Sequence, residues 1–196
     1  MALQEPFSTA SQVTRNYGAE EFLSGVFTVK HYVFQTGDLG IAGYALSSHQ
    51  IQTQEPTRTL DTDGGTQSFN FDSTTVAEAT TVQGTGYVAT RFSYALGTAG
   101  RTSRLKIYLI KYDGSTETVI ATAQSGDFTA TTAADEYTFK LDCTTTTLSR
   151  DDLLRVKIEN DTDTGVGGPD SSFSIGTDPE GTDNLTEIYI PFRRNT

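Results

Sequence analysis

The sequence predicts an all-β protein: an antiparallel β-sandwich or jelly roll with an extended N-terminal arm. Runs of alternating apolar and polar residues recur through the C-terminal two thirds of the 196-residue chain, the period of a sheet with one face against a core. Tyrosine (9) and phenylalanine (11) are frequent, tryptophan is absent and threonine recurs throughout; β-branched and aromatic side chains suit a pleated, half-buried surface. Helical periodicity is scarce, and its best stretch, Ser11 to Leu23, is limited by Gly18 and Gly25.

In chain order, the first good strand is Val26 to Phe34, with Phe27, Val29, His31 and Val33 on one face. Around it lie Gly37 to Gly43 and the polar stretch Ser47 to Gly65. So much weakly patterned chain is unusual inside a compact domain, and in an assembly protein it often orders by lying on a partner. Residues 1–65 are therefore expected to form an arm or β-extension, and residues 66–196 the sandwich domain.

From Gly86 onward Val88, Thr90, Phe92, Tyr94 and Leu96 share one face while Arg91 and Ser93 take the other. Leu105, Ile107 and Leu109 follow, then Tyr112-Asp113-Gly114-Ser115, where Asp-Gly between apolar runs predicts a hairpin with a type I′ turn. The return strand, Thr116 to Ala123, would carry Val119 and Ala121 on one face and Ile120 and Thr122 on the other. Tyr137, Phe139 and Leu141 alternate with polar residues, as do Leu154, Val156 and Ile158. Ile188, Ile190 and Phe192 close the series, with Pro191 expected at an edge or strand end, where a missing N–H does least harm.

The formal net charge is -11. Such a surface repels polyphosphate, so nucleic acid is not an expected partner. No apolar run approaches the roughly 20 residues that span a bilayer, and Met1 to Pro6 has no signal-peptide character; no membrane association is expected, and synthesis in a cytoplasm is. A chain of this size buries enough surface to fold without a staple, and its single cysteine, Cys143, is expected to be a small buried or half-exposed strand residue.

Catalytic patterns are sparse. His31 falls on a predicted strand and His49 in a polar linker, with no G-x-S-x-G elbow beside them and Cys143 next to a threonine run. Zinc-binding spacings are missing. Gly84-Thr85-Gly86 and Gly165-Val166-Gly167-Gly168 open no helix and offer no P-loop lysine, so they read as turns. Asp161, Asp163 and Asp170, with Asp178, Glu180 and Asp183, could gather around Ca²⁺, but an EF-hand needs Gly where Val166 stands and Glu where Ser172 stands. They read instead as solvated turns. Tyr87, Tyr94, Tyr108 and Tyr112 could meet sugar faces, although strand tyrosines more often pack at a sheet surface or subunit contact. Arg193 and Arg194 form a basic tip able to meet an acidic neighbour. No catalytic, cofactor-binding or metal-ligating residue is assigned, no cofactor is expected, and the chain is expected not to be an enzyme.

The stretch from Val88 to Glu159 combines Arg104-Leu-Lys-Ile-Tyr-Leu-Ile-Lys-Tyr-Asp-Gly, a Thr-Glu-Thr return and Leu148-Ser-Arg-Asp-Asp-Leu-Leu-Arg-Val-Lys-Ile. In these segments the chain resembles jelly-roll virion proteins of tailed bacteriophages: head decoration or cement proteins, head fibres, and baseplate or neck modules. The Gly-Asp usual before the last strand is replaced by Asp151-Asp152. The resemblance implies a virion structural protein on the outer surface of the particle. As a decoration protein it would stabilise the head lattice; as alternatives it would be a neck, tail or baseplate jelly roll, or a carbohydrate-binding host-recognition module. Its implied partners are the major capsid protein or other virion subunits, and further copies of itself, a trimer being favoured.

Overall fold

The computed structural model describes residues 25–35, 44–48, 57–61, 67–95, 102–129, 131–162, 172–176 and 186–193. Every regular element among them is a strand: β1 (Val26–Gln35), β2 (Tyr44–Ser47), β3 (Thr57–Asp61), β4 (Gln67–Asp72), β5 (Thr80–Ala95), β6 (Thr102–Tyr112), β7 (Glu117–Gln124), β8 (Phe128–Thr129), β9 (Thr131–Leu148), β10 (Leu153–Thr162), β11 (Ser172–Gly176) and β12 (Glu187–Arg193). The expected all-β sandwich is what forms. Among the described residues no helix is long and apolar enough to cross a membrane. The helical stretch Ser11 to Leu23 lies outside the described residues.

Hydrogen bonds join the strands in the order β3-β11-β5-β12-β1-β2-β4-β10-β6-β7, with β9 added to β5 and β8 to β6. The sheet is mixed, because β2 runs parallel to β4 with Ala45 opposite Asp72. The path then folds over on itself. Phe69 of β4 meets Phe173 of β11 edge to face, ring centroids 5.0 Å apart, although many strands separate the two along the path. Two layers result, with β1 and β2 carrying the hydrogen bonding from one to the other.

Alternation along each strand fills the space between the layers. Val88 and Phe92 of β5, Leu105, Ile107 and Leu109 of β6, Leu141 of β9, Val156 and Ile158 of β10, and Ile188 and Ile190 of β12 are fully buried in one cluster. Each such side chain contributes roughly 1.5–3 kcal/mol by leaving water. Two inner hydroxyls pair with each other: Thr90 shares a 2.8 Å hydrogen bond with Thr186, whose hydroxyl donates to the Gly176 carbonyl at 2.6 Å. Cys143 is a half-buried residue of β9, and burial pushes its thiol up to about 11.

Several local expectations are corrected. Asp113-Gly114 does lie in the β6–β7 hairpin, but Tyr112 pairs with Glu117 across a four-residue loop, and Gly114 has φ 93° while Asp113 has no positive φ. A type I′ turn needs both. Asp113 instead caps the loop, its Oδ1 accepting from Ser115 N at 2.9 Å and Thr116 N at 2.7 Å. On β7, Val119 faces solvent while Ile120 and Ala121 are both buried. The register shifts there, with Leu109 opposite Ala121 but Ile110 opposite Val119, so Ile120 is a bulge residue that resets the alternation.

Pro191 sits on neither an edge nor a free end. β12 lies between β1 and β5, and its ladder with β5 is interrupted between Tyr189 and Phe192, which removes the need for a proline N–H. Gly84-Thr85-Gly86 is a stretch of β5 and no turn: Gly84, at φ 111°, marks a bulge against β9, and a Cβ on Gly86 would stand 2.6 Å from the Tyr189 carbonyl oxygen. Within residues 1–65, β1 pairs with β12 and β2, β2 with β4, and β3 with β11.

Asp151, in the turn where the resemblance led to glycine, has φ 72°, a left-handed conformation that glycine takes freely and aspartate tolerates. Asp152 holds the same turn: its carboxylate accepts from Ser149 N at 2.6 Å and pairs with Lys111 at 2.9 Å. The Lys111 contact first, then the Ser149 N–H, hold that carboxyl below its ordinary range.

Candidate functional site

The outward faces of the two layers carry the chain's organised polar chemistry. On the face of β4, β10, β6 and β7, Arg155 lies opposite Asp72 on one side and Ile110 on the other. Its guanidinium donates twice to Asp72, Nε to Oδ1 at 2.6 Å and Nη2 to Oδ2 at 2.7 Å, and a third time to Glu117. It also lies 4.4 Å from the centre of the Tyr112 ring. Ile110, although outward in register with Arg155, is 2% exposed. One row further, Lys157 pairs with Glu159 and stands 5.2 Å from the Tyr108 ring centre, and the Tyr108 hydroxyl donates to Glu159 at 3.2 Å. Burial, then the Glu159 charge, raise the Tyr108 pKa.

The face of β1, β12, β5 and β9 repeats the device. Register aligns Lys30, Tyr189, Tyr87 and Lys140 in one row across four strands. Lys30 lies 4.8 Å from the Tyr32 ring centre and 5.8 Å from that of Tyr189. Glu187 pairs with Lys30 and accepts from the Tyr189 hydroxyl. Burial alone would lower the Lys30 pKa; hydrogen bonds to Glu187 and Tyr32 outweigh it and keep the ammonium charged. Lys140 is held by Asp142 at 2.9 Å, and Asp142 accepts from Thr85 at 3.2 Å.

These rows bear on the tyrosines singled out for sugar binding. The ring faces of Tyr108 and Tyr112 are occupied by the chain's own Lys157 and Arg155, which removes them as open stacking platforms. The Tyr94 side chain lies outside the described residues. Tyr87 is 41% exposed. Sequence reading did not single out Lys30, Glu187, Asp72 or Arg155, whose signal was only the outward half of each alternation.

His31 is buried on the inner face of β1, its ring centroid 6.4 Å from that of Phe192 and its Nδ1 3.2 Å from the Val29 carbonyl; His49 lies outside the described residues. Among the described residues no three His, Cys, Asp or Glu side chains converge as a metal site. Asp163, Asp170, Asp178, Glu180, Asp183, Gly165 to Gly168 and Arg194 lie outside the described residues, as does the Asp161 side chain. Arg193 is exposed at the end of β12.

No protein-family model and no curated protein matches the chain. Solved structures do share its fold. An α-amino acid ester hydrolase is 14% identical with TM-score 0.60, over 85% of this chain and 36% of its own. A CocE/NonD family hydrolase from Staphylococcus aureus is 13% identical with TM-score 0.57, over 85% of this chain and 37% of its own. The chain thus spans a little over a third of the structures it matches. The VP2 protein of infectious bursal disease virus, in a subviral particle, is 15% identical over 87% of this chain and 37% of its own, at TM-score 0.28, too loose a likeness to carry an argument.

The hydrolases overturn the expectation that the chain is not an enzyme. That expectation rested on sparse catalytic patterns and on the virion resemblance, whereas the same sandwich occurs inside hydrolases. A shared fold at this identity fixes neither activity nor its absence.

Proposed function

We propose that the chain is a structural module of a tailed-phage virion: a decoration or cement subunit that packs on the outer surface of the head and stabilises its lattice. Its partners are the major capsid protein or other virion subunits, together with copies of itself arranged as a trimer. The resemblance over Val88 to Glu159 supports the virion setting. The observation that carries the packing role is the pair of pre-ordered outward faces, where Lys30 with Glu187, Lys140 with Asp142, and Arg155 with Asp72 and Glu117 neutralise one another beside tyrosines. A surface whose long side chains are already fixed loses little entropy on docking, and tyrosine supplies contact area with a polar end. Residues 1–65 are the segment proposed to anchor the module on the lattice, and residues 66–196 the domain so anchored.

Immunogold labelling of virus particles from the source of the sequence, with antibody raised to the chain, tests this. Label over the heads is expected; intact particles that carry none would overturn it, and label on neck or tail would move the module there. A second reading, favoured by the hydrolase superpositions, makes the chain the sandwich portion of a hydrolase. Ester turnover by the purified chain, lost on substitution of one carboxylate, would establish it.

A further inference from the structure

Among the described residues, four outward tyrosines carry a cation over the ring. Lys30 stands over the rings of Tyr32 and Tyr189, Lys157 over Tyr108, and Arg155 over Tyr112. Tyr87 lies in the same kind of row, between Tyr189 of β12 and Lys140 of β9. It stays 41% exposed, with no cation of the described residues over its ring. Lys140, nearest in register, is turned to Asp142, which holds it at 2.9 and 3.1 Å and is itself anchored by Thr85.

We infer that Tyr87 anchors a docking surface for a basic segment of a partner protein, whose arginine or lysine takes over this ring the place that the chain's own cations take over the other four. The inference rests on the packing-module reading and supplies the chemistry of its partner. Two terms of different range favour that occupant. At long range the chain's net charge of -11 attracts a basic segment and speeds its encounter. At contact the negative face of the Tyr87 ring binds the cation, and tyrosine paired with arginine is a common centre of binding energy at interfaces. Nearby cations do not oppose it, because Lys30 and Lys140 are each neutralised by a carboxylate of the same face.

The test titrates an oligo-arginine peptide into the full chain and into three variants, Tyr87→Ala, Tyr87→Phe and Val119→Ala, at one fixed low salt concentration. The wild type is expected to bind with movement of the Tyr87 ring resonances. Tyr87→Ala should weaken binding roughly two- to fivefold, the size of one exposed cation–ring contact. Tyr87→Phe keeps the ring face and should bind as the wild type. Val119→Ala, which alters the 51% exposed valine of the other face, should also leave it unchanged. Wild-type affinity in Tyr87→Ala, still resonances at Tyr87, or no binding by the wild type would each overturn the inference. Labelled particles together with peptide binding indifferent to Tyr87 would remove this inference and leave the proposed function standing; unlabelled particles with Tyr87-dependent binding would do the reverse.

Discussion

At the scale of single residues the sandwich accommodates exceptions to its own pattern, and His31 is the one with a measurable consequence. Burial lowers its pKa from the ordinary value of 6.5, against a smaller opposing pull from the Val29 carbonyl. A base whose pKa falls on folding takes up its proton more readily in the unfolded chain, so folding is favoured where the proton is absent. The contribution of His31 to stability is therefore complete above about pH 6.5 and declines as the pH falls below that value. The thermal midpoint should drop between about pH 7 and about pH 5, and His31→Leu should flatten that drop; a wild-type midpoint level across the window would contradict the assignment. Carboxylates such as Asp152, held low by Lys111, act in the same direction only at more acid pH. The sequence showed His31 on the inward face of a strand beside Val33, but nothing in it revealed that Phe192, far along the chain, would pack near its ring.

At the scale of elements the alternation was legible wherever a strand keeps one face to the core, as in β6, β9 and β10. It failed at bulges and turns, because those are properties of a pair of strands. Ile120 departs from its pattern only because Leu109 and Ile110 on β6 shift register against it, and Pro191 enters an interior strand only because β5 releases its ladder there. The outward rows were equally hidden: Lys30, Tyr189, Tyr87 and Lys140 come from four strands that no local pattern aligns. Gly86 shows the cost of such closeness. Its missing side chain lets β5 approach the Tyr189 carbonyl of β12, where a Cβ would stand at 2.6 Å, and the oxygen is backbone that cannot swing away. Gly86→Ala should therefore destabilise by roughly 1–3 kcal/mol, the usual range for overpacking, read as a lowered denaturant midpoint at unchanged slope. Alanine tolerated without loss would mean that β5 and β12 lie further apart.

At the scale of the whole molecule the sequence revealed the class of fold and little of its topology. The pairings that close the sandwich, β5 with β9, β11 with β3 and β1 with β12, join segments distant along the chain, and local periodicity carries no record of which strand finds which. The linkers around β1 are polar and glycine-rich whether or not the strand between them is built in, so local pattern alone does not tell an arm over residues 1–65 from a strand of the sandwich. β1 is the seam of the sandwich, bonded to β12 through Val26–Tyr32 and to β2 through Tyr32–Gln35, and the proposed packing role requires that this seam be formed before any partner arrives. Native-state amide hydrogen exchange on the isolated full chain reads this out. The β1 amides bonded to these neighbours should be protected to the same degree as those of β5, β6 and β10 and open only in global unfolding. Rapid exchange throughout β1 while those strands stay protected would contradict the proposed role.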